Sequence, residues 1–242
     1  MFFFTPPLFI ILSLVTPQRL EVCLSPGCVA DGAQSSLDKL QALAPFTVVE
    51  GGCESLCGKG PVVISSNCED VDQKKIVHKR IAGSSLVQLL EDLEANVPTE
   101  LVQGYELMEN ANEAAAAKSF EKAIPLFEEG IRMALEPAKA HGGSLTWLGR
   151  ALRSLATCQL ATFQKEAALQ AIQQATDLDP SDAESWDVQA QVCEALKDSQ
   201  GECNALQAYF ALPTADELER TVANRRRTLG FRLQKLEREL TK

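Results

Sequence analysis

Four cysteines within residues 23–61 constrain the fold of this chain more than any other feature. Cys23 and Cys28 enclose four residues in C-L-S-P-G-C, and Cys53 and Cys57 enclose three in G-G-C-E-S-L-C-G-K-G-P. Gly allows close approach of the backbone and Pro fixes φ, so both pairs are predicted to lie on turns. Two thiol loops that meet in space form a cage of four sulfur ligands, which is what a [2Fe–2S] cluster requires.

Other cysteine chemistries compete with this interpretation. Disulfide frameworks concentrate their cysteines in short chains, whereas this chain has 8 Cys in 242 residues. Zinc knuckles usually repeat one spacing, and the two pairs here differ. A redox dithiol of the C-x-x-C type is absent, and the plant-type ferredoxin pattern continues differently after its first pair. On residue types alone, iron–sulfur, zinc and disulfide all remain open.

The segments around the cysteines predict a small mixed domain. Alternating or β-branched runs predict strands over 20–23, 46–49, 62–64 and 76–78. Leucine spacing predicts one helix over 35–43 and a second one that Ser84 caps, with Leu86, Leu89, Leu90 and Leu93 on one face. The predicted order is β-α-β-β-β-α, with the thiol loops at the ends of the first and second strands.

This combination resembles the thioredoxin-like [2Fe–2S] ferredoxin family, which includes small bacterial ferredoxins and a peripheral subunit of respiratory complex I. The matching motifs are C-x4-C at 23–28 and G-x-C-x3-C-G-x-G-P at 51–61, and the resemblance covers about a third of the chain. It implies a thioredoxin-like α+β (α/β) domain over 19–96 whose cluster ligands are Cys23, Cys28, Cys53 and Cys57. Cys68 has no counterpart in the family pattern, and the polar segment 66–73 departs from a tight hairpin.

The N-terminal segment 1–18 is predicted to be an apolar leader, for signalling or targeting, or else disordered. Its apolar run over 9–15 is too short to span a bilayer, and no Lys or Arg precedes it as in a signal peptide. A cluster needs reduced thiols, which conflicts with secretion. We therefore expect a plastid behind extra membranes, with a mitochondrion or another reducing compartment as the alternative. A truncated N-terminus would also account for this segment.

The charge and the histidine content restrict the function further. A net charge of −10 argues against nucleic acids and anionic membranes as partners. His78 and His141 are the only histidines, and no nucleophile or general base is evident. We expect an electron carrier or binding protein, alone or as a subunit of an oxidoreductase, and not an enzyme acting by itself.

The segment 97–213 is predicted to be helical and repetitive. Small residues of the first helices fall at Ala111, Ala156 and Ala190, so they step by 45 and then by 34. The starts of the second helices, at Ala123, Ala168 and Glu202, step by the same intervals. The spacing A-x3-I-x2-A-x4-P over 168–180, followed by Trp186, resembles the tetratricopeptide repeat (TPR). Three repeats are predicted, with the extra length of the first step in a loop over 136–143; an irregular helical bundle is the alternative.

Packing and binding expectations follow from the repeat. Large aromatic side chains are expected to fill the gaps between helices, namely Phe127, Trp147, Phe163 and Trp186. Three cysteines are expected to be small buried apolar residues, namely Cys158, Cys193 and Cys203. The TPR resemblance implies a peptide or protein ligand on the concave face. One subset of TPR domains binds the acidic C-terminus of chaperones through Lys, Asn and Arg at set positions. Here those positions hold Met108, Asn112, Ser154, Glu184 and Val188. Only Asn112 matches, so binding of chaperone tails is not expected.

The segment 214–242 is expected to be a charged helix that caps the last repeat, starting at a capping-box pattern over 214–217. The whole sequence therefore predicts a [2Fe–2S] protein for electron transfer or redox sensing, which docks a redox partner through an all-α TPR module. The alternative is a non-redox TPR scaffold whose N-terminal domain holds a structural zinc or no metal.

Overall fold

The computed structural model describes residues 18–53, 55–56, 59–67, 75–213 and 220–241. Cys57, Cys68, most of the predicted leader and the capping-box pattern over 214–217 lie outside the described residues. The chain divides into two compact units, the first ending at Leu93 and the second beginning at Glu94.

The first unit is a small sheet with helices. In chain order its elements are β1 Gln18–Cys23, α1 Pro26–Ala30, α2 Ala33–Leu43, β2 Thr47–Gly51, β3 Val62–Asn67, β4 Ile76–Lys79 and α3 Ser84–Asp92. The strands lie in the order β2-β1-β3-β4. Strands β1 and β2 are parallel, whereas β3 is antiparallel to both β1 and β4. A parallel pair needs a crossover connection, and α1 and α2 supply it.

The core of the first unit is formed by apolar residues from the two central strands and from two helices. Leu20 and Val63 are fully buried in the sheet, and Leu40 and Leu90 are fully buried on α2 and α3. These leucines belong to the helical spacing seen in the sequence. Ser84 is not the helix cap that the sequence suggested, because Gly83 holds the N-cap position. Instead, the backbone N–H of Ala82 donates to the hydroxyl of Ser85 at 2.9 Å.

The second unit is an array of helices, each packed against the next. They are α4 Thr99–Ala116, α5 Phe120–His141, α6 Thr146–Ala161, α7 Lys165–Leu178, α8 Ala183–Leu196, α9 Ser199–Ala211 and α10 Arg220–Leu240. Helix α6 also contacts α4 and α8, so the first helices of successive pairs adjoin one another. A stack of helix pairs in which each pair contacts its neighbours buries one continuous core.

The turns inside the three helix pairs are the same. Each contains one residue with left-handed φ, at Lys118, Phe163 and Lys197. The following N–H bonds the carbonyl five residues back, from Ser119 to Ala114 at 2.8 Å, from Gln164 to Gln159 at 2.8 Å and from Asp198 to Cys193 at 2.9 Å. This is the six-to-one bond of a Schellman helix end. The turns recur at intervals of 45 and 34 residues, which are the intervals predicted from the small residues.

The small residues lie where helices approach closely. Ala111, Ala123, Ala156 and Ala168 are fully buried, as the repeat predicted. The closest approach is between α4 and α5, where a Cβ on Gly104 would lie 2.7 Å from the carbonyl oxygen of Gly130. Any side chain at these positions would force the two helices apart.

Two predictions for this unit are wrong, one about a loop and one about the packing of an aromatic side chain. The segment 136–143 is not a loop, because α5 continues to His141 and ends only at Gly142, which has φ 81°. Buried Ala134 and Ala138 hold its last turns in place despite the missing N–H of Pro137. Phe163 does not fill a gap between helices. It occupies the left-handed turn position, where its side chain is 83% exposed.

Candidate metal centre

The ends of β1 and β2 bring the two cysteine motifs to one edge of the sheet. The strands are parallel, and their register sets Cys23 opposite Gly51. A Cβ on Gly51 would lie 2.9 Å from the Cβ of Glu21, so only glycine allows this approach. Because parallel strands end at the same edge, Cys53 follows β2 on the side where Cys23 ends β1.

The first motif folds into a compact turn that brings its two thiols together. Cys23 is the last residue of β1, and Cys28 lies in the short helix α1, which follows Ser25 and starts at Pro26. Both cysteines are buried. The Cys23 thiol donates to the Ser25 hydroxyl at 3.4 Å, and the two cysteine side chains interact with each other.

The loop that follows the second cysteine pair contacts the turn formed by the first motif. The Cys28 thiol donates to the carbonyl oxygen of Gly60 at an Sγ–O distance of 3.8 Å. Gly60 belongs to the G-K-G-P sequence that follows the second cysteine pair, and Pro61 leads directly into β3. The end of one thiol loop therefore touches the other.

The surroundings of Cys28 act on its protonation in opposite directions. The hydrogen bond with Ser25 lowers the pKa of the Cys28 thiol, whereas burial and the neighbouring Cys23 thiol raise it. A backbone hydrogen bond with Val62 also lowers it. The balance leaves the pKa above its usual value, so the sulfur carries its proton at neutral pH.

The structure places three of the four predicted ligands and brings two of them together. Cys23 and Cys28 are adjacent, Cys53 is exposed at the same edge, and Cys57 lies outside the described residues. Within the described ranges, no group of three His, Cys, Asp or Glu side chains is placed to hold a metal ion.

The cysteines of the second unit are buried in helices α6, α8 and α9, as the sequence predicted. Burial is the main cause that raises the pKa of the thiols of Cys158, Cys193 and Cys203. Thiols in such surroundings are inert packing groups.

Two polar features of the second unit were not predicted from the sequence: the partner of Glu202 and the burial of Gln159. Glu202 stands where the first two helix pairs have alanine, and its carboxylate is bound by Arg232 of α10. Gln159 is also buried, and in the part of the chain that the structure describes its Oε1 has no hydrogen-bond partner. The signal for both was a polar residue at a position where the repeat expects a small or apolar one.

Part of the chain is similar to solved structures of other proteins. No protein-family model and no curated protein matches the chain. The crystal structure of the Sgt2 TPR domain from Aspergillus fumigatus matches 57% of this chain and 79% of that one, with 19% identity and a TM-score of 0.41. The helix-pair array is defined by its own repeated turns. Within the described residues, none of the helices combines the length and apolar content needed to cross a membrane.

Proposed function

We propose that the first unit holds a [2Fe–2S] cluster through Cys23, Cys28, Cys53 and Cys57, and that the helical array docks its partner protein. The observation that carries the proposal is the contact between the thiol loops, in which the Cys28 thiol meets Gly60 beside Cys23. The observed order of strands and helices also supports the thioredoxin-like resemblance on which the ligand set rests.

The residues present fit such a cluster in their chemistry. Thiolates are the ligands of [2Fe–2S] centres, and three of the four cysteines lie at one sheet edge beside glycine-rich backbone. When bound, the cluster would accept and release one electron. The chain's own part is to hold the sulfurs, with Ser25 and the N–H of Val62 donating hydrogen bonds to Cys28. Such hydrogen bonds set the potential of an iron–sulfur centre.

The proposal requires a compartment that keeps thiols reduced, for which the sequence favours a plastid. It assigns no substrate chemistry to the chain, since its role is to deliver or sense electrons. The array supplies a surface for a protein ligand, as stacked helix pairs do.

The test is spectroscopic. Protein purified without oxygen should absorb visible light and contain iron and acid-labile sulfide in equal amounts. Cys57→Ser should bleach it, whereas Cys68→Ser, a matched change in the same unit, should leave the colour intact. A colourless protein that contains zinc, or no metal, would support the scaffold alternative. Loss of colour only in Cys68→Ser would overturn the ligand assignment.

A further inference from the structure

A cavity of about 300 Å³ opens between helices α5, α6 and α7. Its apolar lining includes Ile131 of α5, Leu152 and Leu155 of α6, and Ala171 of α7. These four residues are buried in the packed array, so the cavity has a rigid wall. Its volume lies at the lower end of ligand sites and suits one long side chain better than a large molecule.

An unsatisfied acceptor lies in this cavity. Gln159 lines it and is only 4% exposed, yet its Oε1 has no hydrogen-bond partner among the described residues. Its Nε2 donates to the carboxylate of Glu128 at 3.4 Å. Because a carboxylate only accepts, this contact fixes which way the amide faces, and Oε1 is left without a donor. Buried polar groups are usually hydrogen-bonded, and the described part of the chain supplies no donor to this acceptor.

The charges around the cavity favour a cation. Glu128 lines it and supplies a carboxylate. The cationic side chain in its lining, Arg132, is held by the carboxylate of Glu129 through two hydrogen bonds of 2.8 and 2.6 Å. The net charge of −10 also draws basic partners towards the chain.

We infer that this cavity accepts a lysine side chain of a basic partner protein. The four-carbon stem would lie on the apolar lining, and the ammonium group would donate to Oε1 of Gln159 and to Glu128. Lysine suits this arrangement because its three donors diverge from one nitrogen and can reach acceptors on two residues. The planar fork of arginine suits two oxygens of one carboxylate instead. The inference rests on the proposed docking role of the second unit and not on the proposed cluster.

The test is a titration of the full chain with Nα-acetyl-L-lysine amide, followed by NMR of the methyl groups of Ile131, Leu152 and Leu155. Nα-acetyl-L-norleucine amide is the matched control, because it has the stem without the ammonium. We expect saturable shifts with the lysine derivative alone. Equal shifts with norleucine, or no saturable shift with lysine, would overturn the inference.

Two variants assign the contacts. Glu128→Gln removes an exposed charge without disturbing the core, and it should weaken the binding of the lysine derivative about tenfold, or about 1.4 kcal/mol. Gln159→Met keeps the volume but removes the acceptor, and should weaken binding similarly. Glu121→Gln, on the same helix but outside the cavity, should bind like the unchanged protein. Unaltered binding in Glu128→Gln would show that the site does not select a cation, which contradicts the inference.

Discussion

Arg232 on α10 binds both oxygens of the buried Glu202 carboxylate on α9, with Nε–Oε1 at 2.5 Å and Nη2–Oε2 at 2.8 Å. Glu202 is 3% exposed and stands where the first two helix pairs have Ala123 and Ala168. The hydrogen bond to Glu202 is the main reason that the pKa of Arg232 lies above its usual value. The irregular residue of the third pair is thus one of the residues that attach the last helix, beside Asp187, which binds Arg225.

Removing the arginine should cost more than removing the glutamate. Arg232→Ala leaves a buried carboxylate without its cation, for which we expect a loss of about 2–4 kcal/mol in the free energy of unfolding, since Arg232 is itself partly exposed. Glu202→Ala restores the small residue of the other pairs and should cost less. Urea unfolding followed by circular dichroism measures both. Arg227→Ala, an exposed neighbour on α10, is the control, and equal losses in all three variants would contradict the pairing.

Two equivalent glycines should respond oppositely to the same change. Gly104→Ala places a Cβ 2.7 Å from the carbonyl oxygen of Gly130, so it should lower the stability of the second unit by about 1–3 kcal/mol. Gly149 lies 45 residues later, and its new Cβ would meet the nearest atom, an oxygen of Ala175, at 3.5 Å. Gly149→Ala should therefore be neutral or add up to about 1 kcal/mol through helix propensity. Thermal unfolding of the two variants measures both changes in stability. A destabilised Gly149→Ala would contradict the conclusion that the helices lie farther apart at Gly149 than at Gly104.

Replacing Ser25 should shift the potential of the proposed cluster without removing it. Its hydroxyl contacts Cys28, and hydrogen bonds to cluster sulfurs favour the more negative, reduced state. Ser25→Ala should therefore lower the reduction potential while the iron content stays the same. Protein-film voltammetry measures the potential. Ser35→Ala, an exposed serine on α2, is the control, and an unchanged potential in Ser25→Ala would show that this hydroxyl does not act on the cluster.

The described thiols should differ in reactivity in the metal-free protein. Cys53 is exposed, whereas Cys23, Cys28, Cys158, Cys193 and Cys203 are buried. Cys53 should therefore react with iodoacetamide first among these six, and mass spectrometry of the peptides gives the order. In protein that holds the cluster, the reaction at Cys53 should slow by at least about tenfold, because a ligated sulfur is not a free nucleophile. Equal rates with and without iron would remove Cys53 from the ligand set.

His78 should make the first unit less stable in acid. Burial lowers the pKa of its imidazole below 6.5, with an opposing but smaller effect of Asp92, and its Nε2 lies 2.9 Å from the Ser65 hydroxyl. The unfolded chain therefore binds a proton first as the pH falls below about 6.5, so stability is lost from there down to the folded pKa. NMR titration of the ring protons measures this pKa. A value at or above 6.5 would contradict the prediction, and His78→Gln should flatten the pH dependence.

The sequence predicted those elements whose signal is local or evenly spaced. The intervals of 45 and 34 were visible because each close helix contact needs a small residue, and the turns at Lys118 and Phe163 keep the same interval. Strand positions followed from β-branched runs. The order β2-β1-β3-β4 was not predicted, because strand pairing depends on contacts distant in sequence.

The errors arose where packing overrides local preference. The segment 136–143 was predicted to be a loop, but buried Ala138 keeps α5 helical around Pro137. Phe163 suggested a core residue, but its backbone is needed for a turn. At the candidate metal centre the spacing identified the cysteines, whereas the contact of Cys28 with Gly60 depends on the path of the chain between them.

The matching turns after α4, α6 and α8 have a consequence for how such a chain can change. Their defining hydrogen bonds join main-chain groups only, so Lys, Phe and Lys can stand at the turning point in three neighbouring copies. A substitution in these turns should therefore cost little stability, whereas an inserted or deleted residue would rotate every helix that follows. In this array the repeat is therefore visible in the spacing of the turns along the chain more than in the identity of their residues.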